Sequence, residues 1–222
     1  MLQTGSLALG ICGSPRPDGN TATAIEDFLA GAAAVGHETK AVQLGPDQVR
    51  PIADCAACAR ENSCTIADGF DALMEQVTSA ELLVLGTPLY WYGPSAQLKA
   101  FVDRWSCLLD LDEHRFRAVM RGKRAVLVVA QGERGFYEVG PCLQMMDWTL
   151  RYLEMVMAGR VVIVGHARGD YRGDAPQRQL VRAAGEAAAL GRTADVLPPW
   201  FHLSHRPGEP LGGTYPTAGG AA

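Results

Sequence analysis

Ser14, Asn20 and Thr21 crowd into one short stretch, Gly13-Ser14-Pro15-Arg16-Pro17-Asp18-Gly19-Asn20-Thr21, between an apolar run (Leu7 to Cys12) and a helical pattern. Hydroxyls, a side-chain amide and free backbone N–H groups at the positive end of a helix suit a phosphate oxygen. The glycine pattern of a dinucleotide-binding fold is missing, and so is the Gly-Lys-Ser/Thr ending of a nucleoside triphosphate loop. The chemistry indicated is therefore capture of a phosphomonoester without magnesium. The same residues also suit an ordinary strand-to-helix turn in which Asn20 or Thr21 caps the helix.

A second stretch, Thr87-Pro88-Leu89-Tyr90-Trp91-Tyr92-Gly93-Pro94-Ser95, holds three consecutive aromatics bracketed by prolines and a glycine. A rigid loop of this kind can offer backbone amides to a flat ring while one aromatic packs against the ring's edge or face. Burial of the aromatics in a helix layer or an oligomer contact is the alternative. The histidines make a poor metal site: His37, His114 and His166 are scattered, and only His202 and His205 lie close together. Lys99 and Asp103, four apart on a predicted helix, form at most a modest surface pair, and neither they nor Arg104 is assigned to catalysis.

Positioning these loops requires strands and helices in alternation, and the sequence supplies them. Apolar runs recur at Leu7 to Cys12, Ala41 to Leu44, Leu82 to Thr87, Ala125 to Ala130 and Val161 to Gly165. Helical periodicity fills 20–34, 68–80, 95–109, 142–157 and 176–190, the last alanine-rich with Gly185 as its weak point. Strand then helix, repeated, predicts a doubly wound parallel sheet, an α/β fold whose ligands bind beyond the carboxyl ends of the strands at the topological switch point. The loops at 13–20 and 87–94 would sit there side by side.

With 222 residues, one substantial domain is expected over 1–197, followed by a Pro/Gly-rich tail over 198–222. A formal net charge of −4 and the lack of a Lys/Arg cluster argue against a nucleic-acid partner. No apolar run approaches a membrane span, and Met1 to Ser6 carry no basic leader, so the expected compartment is the cytoplasm and the six cysteines are expected as thiols.

Three ordered motifs together carry a resemblance. Gly13-Ser14-Pro15-Arg16 with Asn20-Thr21, Gly86 to Gly93, and Gln97-Leu98-Lys99-Ala100-Phe101-Val102-Asp103-Arg104 resemble the NAD(P)H-dependent FMN reductase branch of the flavodoxin-like superfamily, over roughly 7–165. The resemblance implies a three-layer sandwich around a five-stranded parallel sheet of order 2-1-3-4-5. It implies FMN, with its phosphate on Ser14, Arg16, Asn20, Thr21 and Ala22. The ring and ribityl chain would lie against Pro88, Leu89, Tyr90, Trp91, Tyr92 and Gly93. A third loop, Gln131, Gly132 and Glu133 with Tyr137 beyond it, would close on the pyrimidine side. It also implies NADPH or NADH as donor, a quinone, flavin or other small aromatic acceptor, and a homodimer or higher homo-oligomer. No catalytic side chain is assigned, although Glu133, Tyr137 or Tyr90 could relay a proton to the acceptor.

Cys55, Cys58 and Cys64 resemble the cysteine cluster of the iron-sulfur flavoproteins in the same branch, but Glu61 stands where another close cysteine would fall. Three thiolates are too few for that cluster or for structural zinc, so no metal is assigned. Free thiols, or a redox disulfide from Cys58 to Cys55 or Cys64, remain. An electron-transferring flavodoxin and a flavoenzyme dedicated to one aromatic intermediate are the alternatives to a general reductase.

Overall fold

The apolar runs pair side by side as one parallel sheet of order β2-β1-β3-β4-β5. The computed structural model describes residues 6–53, 60, 64–132 and 136–197, with Phe136 and Tyr137 described by their backbone alone. The strands are β1 (Leu7–Cys12), β2 (Glu38–Gln43), β3 (Leu82–Pro88), β4 (Arg124–Gln131) and β5 (Val156–Val164). Among the described residues the helices are α1 (Asn20–Ala34), α2 (Phe70–Ser79), α3 (Ala96–Asp103), α4 (Trp105–Met120), α5 (Phe136–Tyr152), α6 (Asp170–Gly173) and α7 (Ala175–Ala189). Expected positions 133–135 and the 198–222 tail, with Cys55 and Cys58, lie outside the described residues.

Two apolar layers sandwich the sheet. On one face Ala24, Phe28 and Leu29 of α1 and Val181 and Ala184 of α7 pack on Ala8, Val84, Val126 and Val128. On the other, Phe70, Leu73 and Val77 of α2, Phe101 of α3 and Leu143 of α5 pack on Leu9, Leu83, Leu127 and Val129. Residues from 82 to 85 are buried to within 1% exposure, which explains their continuous apolar run in a strand covered on both sides.

The element boundaries differ from the periodicity in instructive places. β5 begins at Val156, inside the stretch expected as helix, because Glu154 turns the chain at φ 58°, a left-handed conformation that no glycine announces in the sequence. β2 starts at Glu38 rather than Ala41, since an edge strand exposed along much of its length needs no apolar run. The helix expected over 95–109 is two, α3 and α4, and α4 itself kinks at Asp112, whose carboxylate accepts from Arg115 N at 2.9 Å. The other edge, β5, is by contrast partly covered. Residues 194–196 run along β5, with Ala194 N donating to Ala158 O and Val196 N to Arg160 O, each at 2.8 Å.

Helices α1 and α7 touch backbone to backbone. A Cβ on Gly31 would lie 2.0 Å from Arg182 O, and one on Gly185 would lie 1.9 Å from Phe28 O. Gly185, expected as the weak point of its helix, is thus what lets the two helices approach. Beside the crossing Asp27, buried, accepts from Arg178 Nε at 2.7 Å, Arg182 Nε at 2.8 Å and the Tyr171 hydroxyl at 3.2 Å.

Candidate functional site

The carboxyl ends of β1, β3 and β4 meet at one rim, and short polar links fix their loops to each other. Gly13 N donates to Gly86 O at 2.7 Å, and the buried Ser95 hydroxyl donates to Gly13 O at 2.5 Å while accepting from Leu98 N at 3.2 Å. Ser95 N donates to Thr87 Oγ1 and Leu89 N to Ala130 O, each at 2.8 Å. Gln43 Nε2 donates to Ser14 O. Gly13 fits only as glycine, because a Cβ there would stand 2.6 Å from Leu98 Cβ. Ser95 therefore caps α3 and joins the first loop to the second with one side chain.

Between the loops lies an open cleft of about 150 Å³. Its walls include Ser14, Arg16, Asn20 and Thr21 from the first loop, Pro88, Leu89 and Tyr90 from the second, and Gln131 and Gly132 from the third. Three loops distant in sequence thus form one site. Ala22, Trp91, Tyr92 and Gly93 are not among the walls, Glu133 lies outside the described residues, and Tyr137 is known by backbone only.

At the α1 end of the cleft, the backbone N–H groups of Asn20, Thr21 and Ala22 have no acceptor among the described residues, and the N-cap position is Gly19, which has no side chain to offer one. Neither Asn20 nor Thr21 is the cap. By contrast, Ser95 caps α3 and Asp174 caps α7 with their own oxygens. Ser14, buried, closes a tight turn by accepting from Arg16 N at 3.1 Å. The exposed Arg16 guanidinium has no partner among the described residues.

Asn20 takes a part that its sequence position did not reveal. Its Nδ2 donates to Ala167 O at 3.0 Å and Gly165 O at 3.4 Å, while its Oδ1 accepts from Gly169 N at 3.0 Å and Tyr171 N at 3.3 Å. The side chain is committed to the loop after β5. That loop brings His166, Ala167 and Arg168 to the cleft, and Arg168 pairs with Asp18 across its mouth. Sequence reasoning passed over these residues, although glycines at 165 and 169 flank them and a Cβ at Gly165 would meet Asn20 Nδ2 at 2.7 Å.

The aromatic loop is a two-residue hairpin. Tyr90 and Gly93 exchange backbone hydrogen bonds of 3.0 Å, and Trp91 and Tyr92 occupy the turn at φ 48° and 66°. Such a turn favours Asn and Gly, so two bulky aromatics there store strain of about 1–3 kcal/mol each. Trp91 is 93% exposed.

At the far end of the cleft Gln131 is 2% exposed, and neither Oε1 nor Nε2 has a hydrogen-bond partner among the described residues. None of the described thiols is among the cleft walls. Burial pushes Cys12 up to about 11 and Cys142 up to about 12, leaving both protonated at neutral pH. Cys64 accepts from Arg104 NH2 at 3.2 Å. The wholly buried Arg104, placed by sequence on a surface-like helix, also binds Asp68 at 2.8 Å and lies 4.4 Å from the Phe70 ring centroid. It anchors the segment before α2 to α3.

The model of the NADPH-dependent FMN reductase family matches residues 7–169. An iron-sulfur flavoprotein of Methanocaldococcus jannaschii is 38% identical over 96 residues, 43% of this chain and 50% of that protein. This chain thus spans only half the length of that relative. A Bacillus subtilis protein described as an NAD(P)H-dependent FMN-containing oxidoreductase is 30% identical over 161 residues, 72% of this chain and 86% of its own length. Among solved structures, the Trp repressor binding protein of Bacillus subtilis superposes with a TM-score of 0.60 at 26% identity, covering 80% of this chain and 97% of that one.

Proposed function

Because the chain belongs to the NADPH-dependent FMN reductase family, we propose that it is an oxidoreductase holding FMN in the cleft above β1, β3 and β4, with NADPH or NADH as donor and a quinone, flavin or other small aromatic as acceptor. The observation that carries this reading is the uncapped start of α1, where three adjacent amides lack an acceptor among the described residues. A phosphate would complete that end as Asp174 completes α7.

When bound, FMN supplies the capacity to accept a hydride and release electrons. The chain's own part is placement. Ser14, Arg16 and the first amides of α1 would take the phosphate, Thr21 would add a hydroxyl, and Pro88, Leu89 and Tyr90 would shield the ring from water. Gln131 and Gly132 would stand at the opposite end. The donor and the acceptor must use the same opening, so they bind in turn.

Double-reciprocal plots at several acceptor concentrations are therefore expected to run parallel, and either nicotinamide should bleach the visible flavin band without acceptor present. A purified, flavin-supplemented protein whose spectrum neither NADPH nor NADH changes would refute the reading. Intersecting lines would refute the shared opening alone.

The active form is a homodimer in this reading, supported by the exposure of Trp91 and of Trp148 and Tyr152 on α5. Its compartment is the cytoplasm, in keeping with Cys12, Cys64, Cys107 and Cys142 as unpaired thiols. Among the described residues no helix is long and apolar enough to cross a membrane.

A further inference from the structure

The last described residues run up the outer edge of β5 and are fixed to it along their length. Besides the two amides given to Ala158 O and Arg160 O, Val162 N donates to Val196 O at 2.9 Å. Asp195, its side chain 7% exposed, accepts from Arg160 N at 2.8 Å. Gly159 makes room for the passage, since a Cβ there would lie 2.6 Å from Ala194 O. Val196 packs toward the α1 and α7 layer, and Leu197 toward the core under α3 and α5. The segment pairs parallel to β5, so it points at the carboxyl rim where the cleft opens.

Donors to the β5 carbonyls fall at 194 and 196, and the next in that rhythm is Pro198, which has no N–H to give. Pairing therefore stops, and Pro199 favours continuing the chain in extended form. Val196 stands opposite Val161, which sets position 199 level with Val164, the end of β5. Trp200-Phe201-His202-Leu203 follow at once, the one place in the 198–222 tail where large apolar side chains adjoin. Across the mouth, the loop after β3 lies two strand spacings from β5, roughly 10 Å, which three extended residues cover at about 3.3 Å each. Leu89 there is half-buried and Tyr90 46% exposed, an apolar wall still open to water.

We propose that Trp200, Phe201 and Leu203 lie across the mouth of the cleft in their own chain, seated on Leu89 and Tyr90, as an outer wall that shields the bound ligand from water. The wall follows from the path of the chain, and its effect on flavin rests on the FMN reading.

The test joins Tyr90→Cys and Phe201→Cys in the full chain and adds a short bis-maleimide linker, with each single variant as the control for native thiols. Linkage of positions 90 and 201 within one chain is expected, read by peptide mass mapping and a monomer-sized band under denaturing conditions. Adding Val196→Pro, which removes the N–H given to Arg160 O, should lower its yield severalfold. In Trp200→Ser/Phe201→Ser, iodide should quench bound FMN about twofold more strongly or better, as uncovering a buried ligand requires. Linkage between two chains would seat the tail on a second copy and overturn the proposal. So would the absence of 90–201 linkage, a yield untouched by Val196→Pro, or unchanged iodide quenching. Intrachain linkage in a protein that binds no FMN would leave the wall standing and overturn the cofactor reading instead.

Discussion

Ser14 and Asn20 lie in the same loop and face the same cleft, yet they work by different means. Ser14 has only its own turn to hold, so its hydroxyl and the loop's amides are available to a phosphate oxygen. Asn20 has every side-chain hydrogen-bonding site committed to the loop after β5, and its contribution to a ligand is the position of that loop together with its own backbone N–H. Ser14→Ala is expected to weaken FMN binding by about 1.5–3 kcal/mol, the worth of a hydrogen bond to a charged group. Asn20→Ala should weaken it too, but with faster amide hydrogen exchange at Gly169 and Tyr171, which Ser14→Ala should leave unchanged. Equal exchange in the two variants would remove the distinction.

Among the elements, the α1–α7 pair best illustrates how a site is held from below. α1 presents its bare amino end to the cleft, and its direction is set by the glycine crossing with α7 and by Asp27 between two arginines. Burial alone would raise the Asp27 carboxyl, but hydrogen bonds from Arg178 and Arg182 outweigh it and hold the group below its ordinary value of 3.8. A carboxyl lowered by folding stabilises the native state above its unfolded pKa, and that stabilisation is lost as the pH falls through the folded value. Asp27→Asn should therefore cost about 1.5–3 kcal/mol at neutral pH. In urea titrations the gap from wild type should stay constant above about pH 5 and close as the pH drops below 3.8. A gap that persists undiminished at pH 2 would show that charge is not what Asp27 contributes.

For the whole molecule, the exposed aromatics decide what is expected in solution. Trp91 at 93% exposure stands on a strained hairpin at the rim, and Trp148 and Tyr152 lie one turn apart on the outer side of α5. A second copy covering α5 or the hairpin would remove that surface from water and relieve the isolation of Trp91. Light scattering at micromolar protein should return the mass of a dimer or a larger closed assembly. Trp148→Glu should shift it toward 23.7 kDa, the mass of one chain. A wild-type monomer at that concentration would contradict the homodimer.

The sequence by itself determined the order of strands and helices, the parallel sheet and the two loops over its carboxyl edge. These follow from local patterns: continuous apolar runs where both strand faces are covered, helical spacing at Ala24, Phe28 and Ala32, and Ser, Gly and Asn at a strand end. It was less legible at β2 and β5, where edge strands and the positive φ of Glu154 leave no apolar or glycine mark. What only the tertiary structure decided is which groups remain free once neighbours have taken their share. Asn20 looks identical in sequence whether it faces a phosphate or a carbonyl 145 residues away, and Gln131 shows its unpartnered amide only after β5 and the cleft walls surround it. Periodicity is a property of near neighbours along the chain. Hydrogen-bond satisfaction belongs to neighbours in space, and strand order sets who those are.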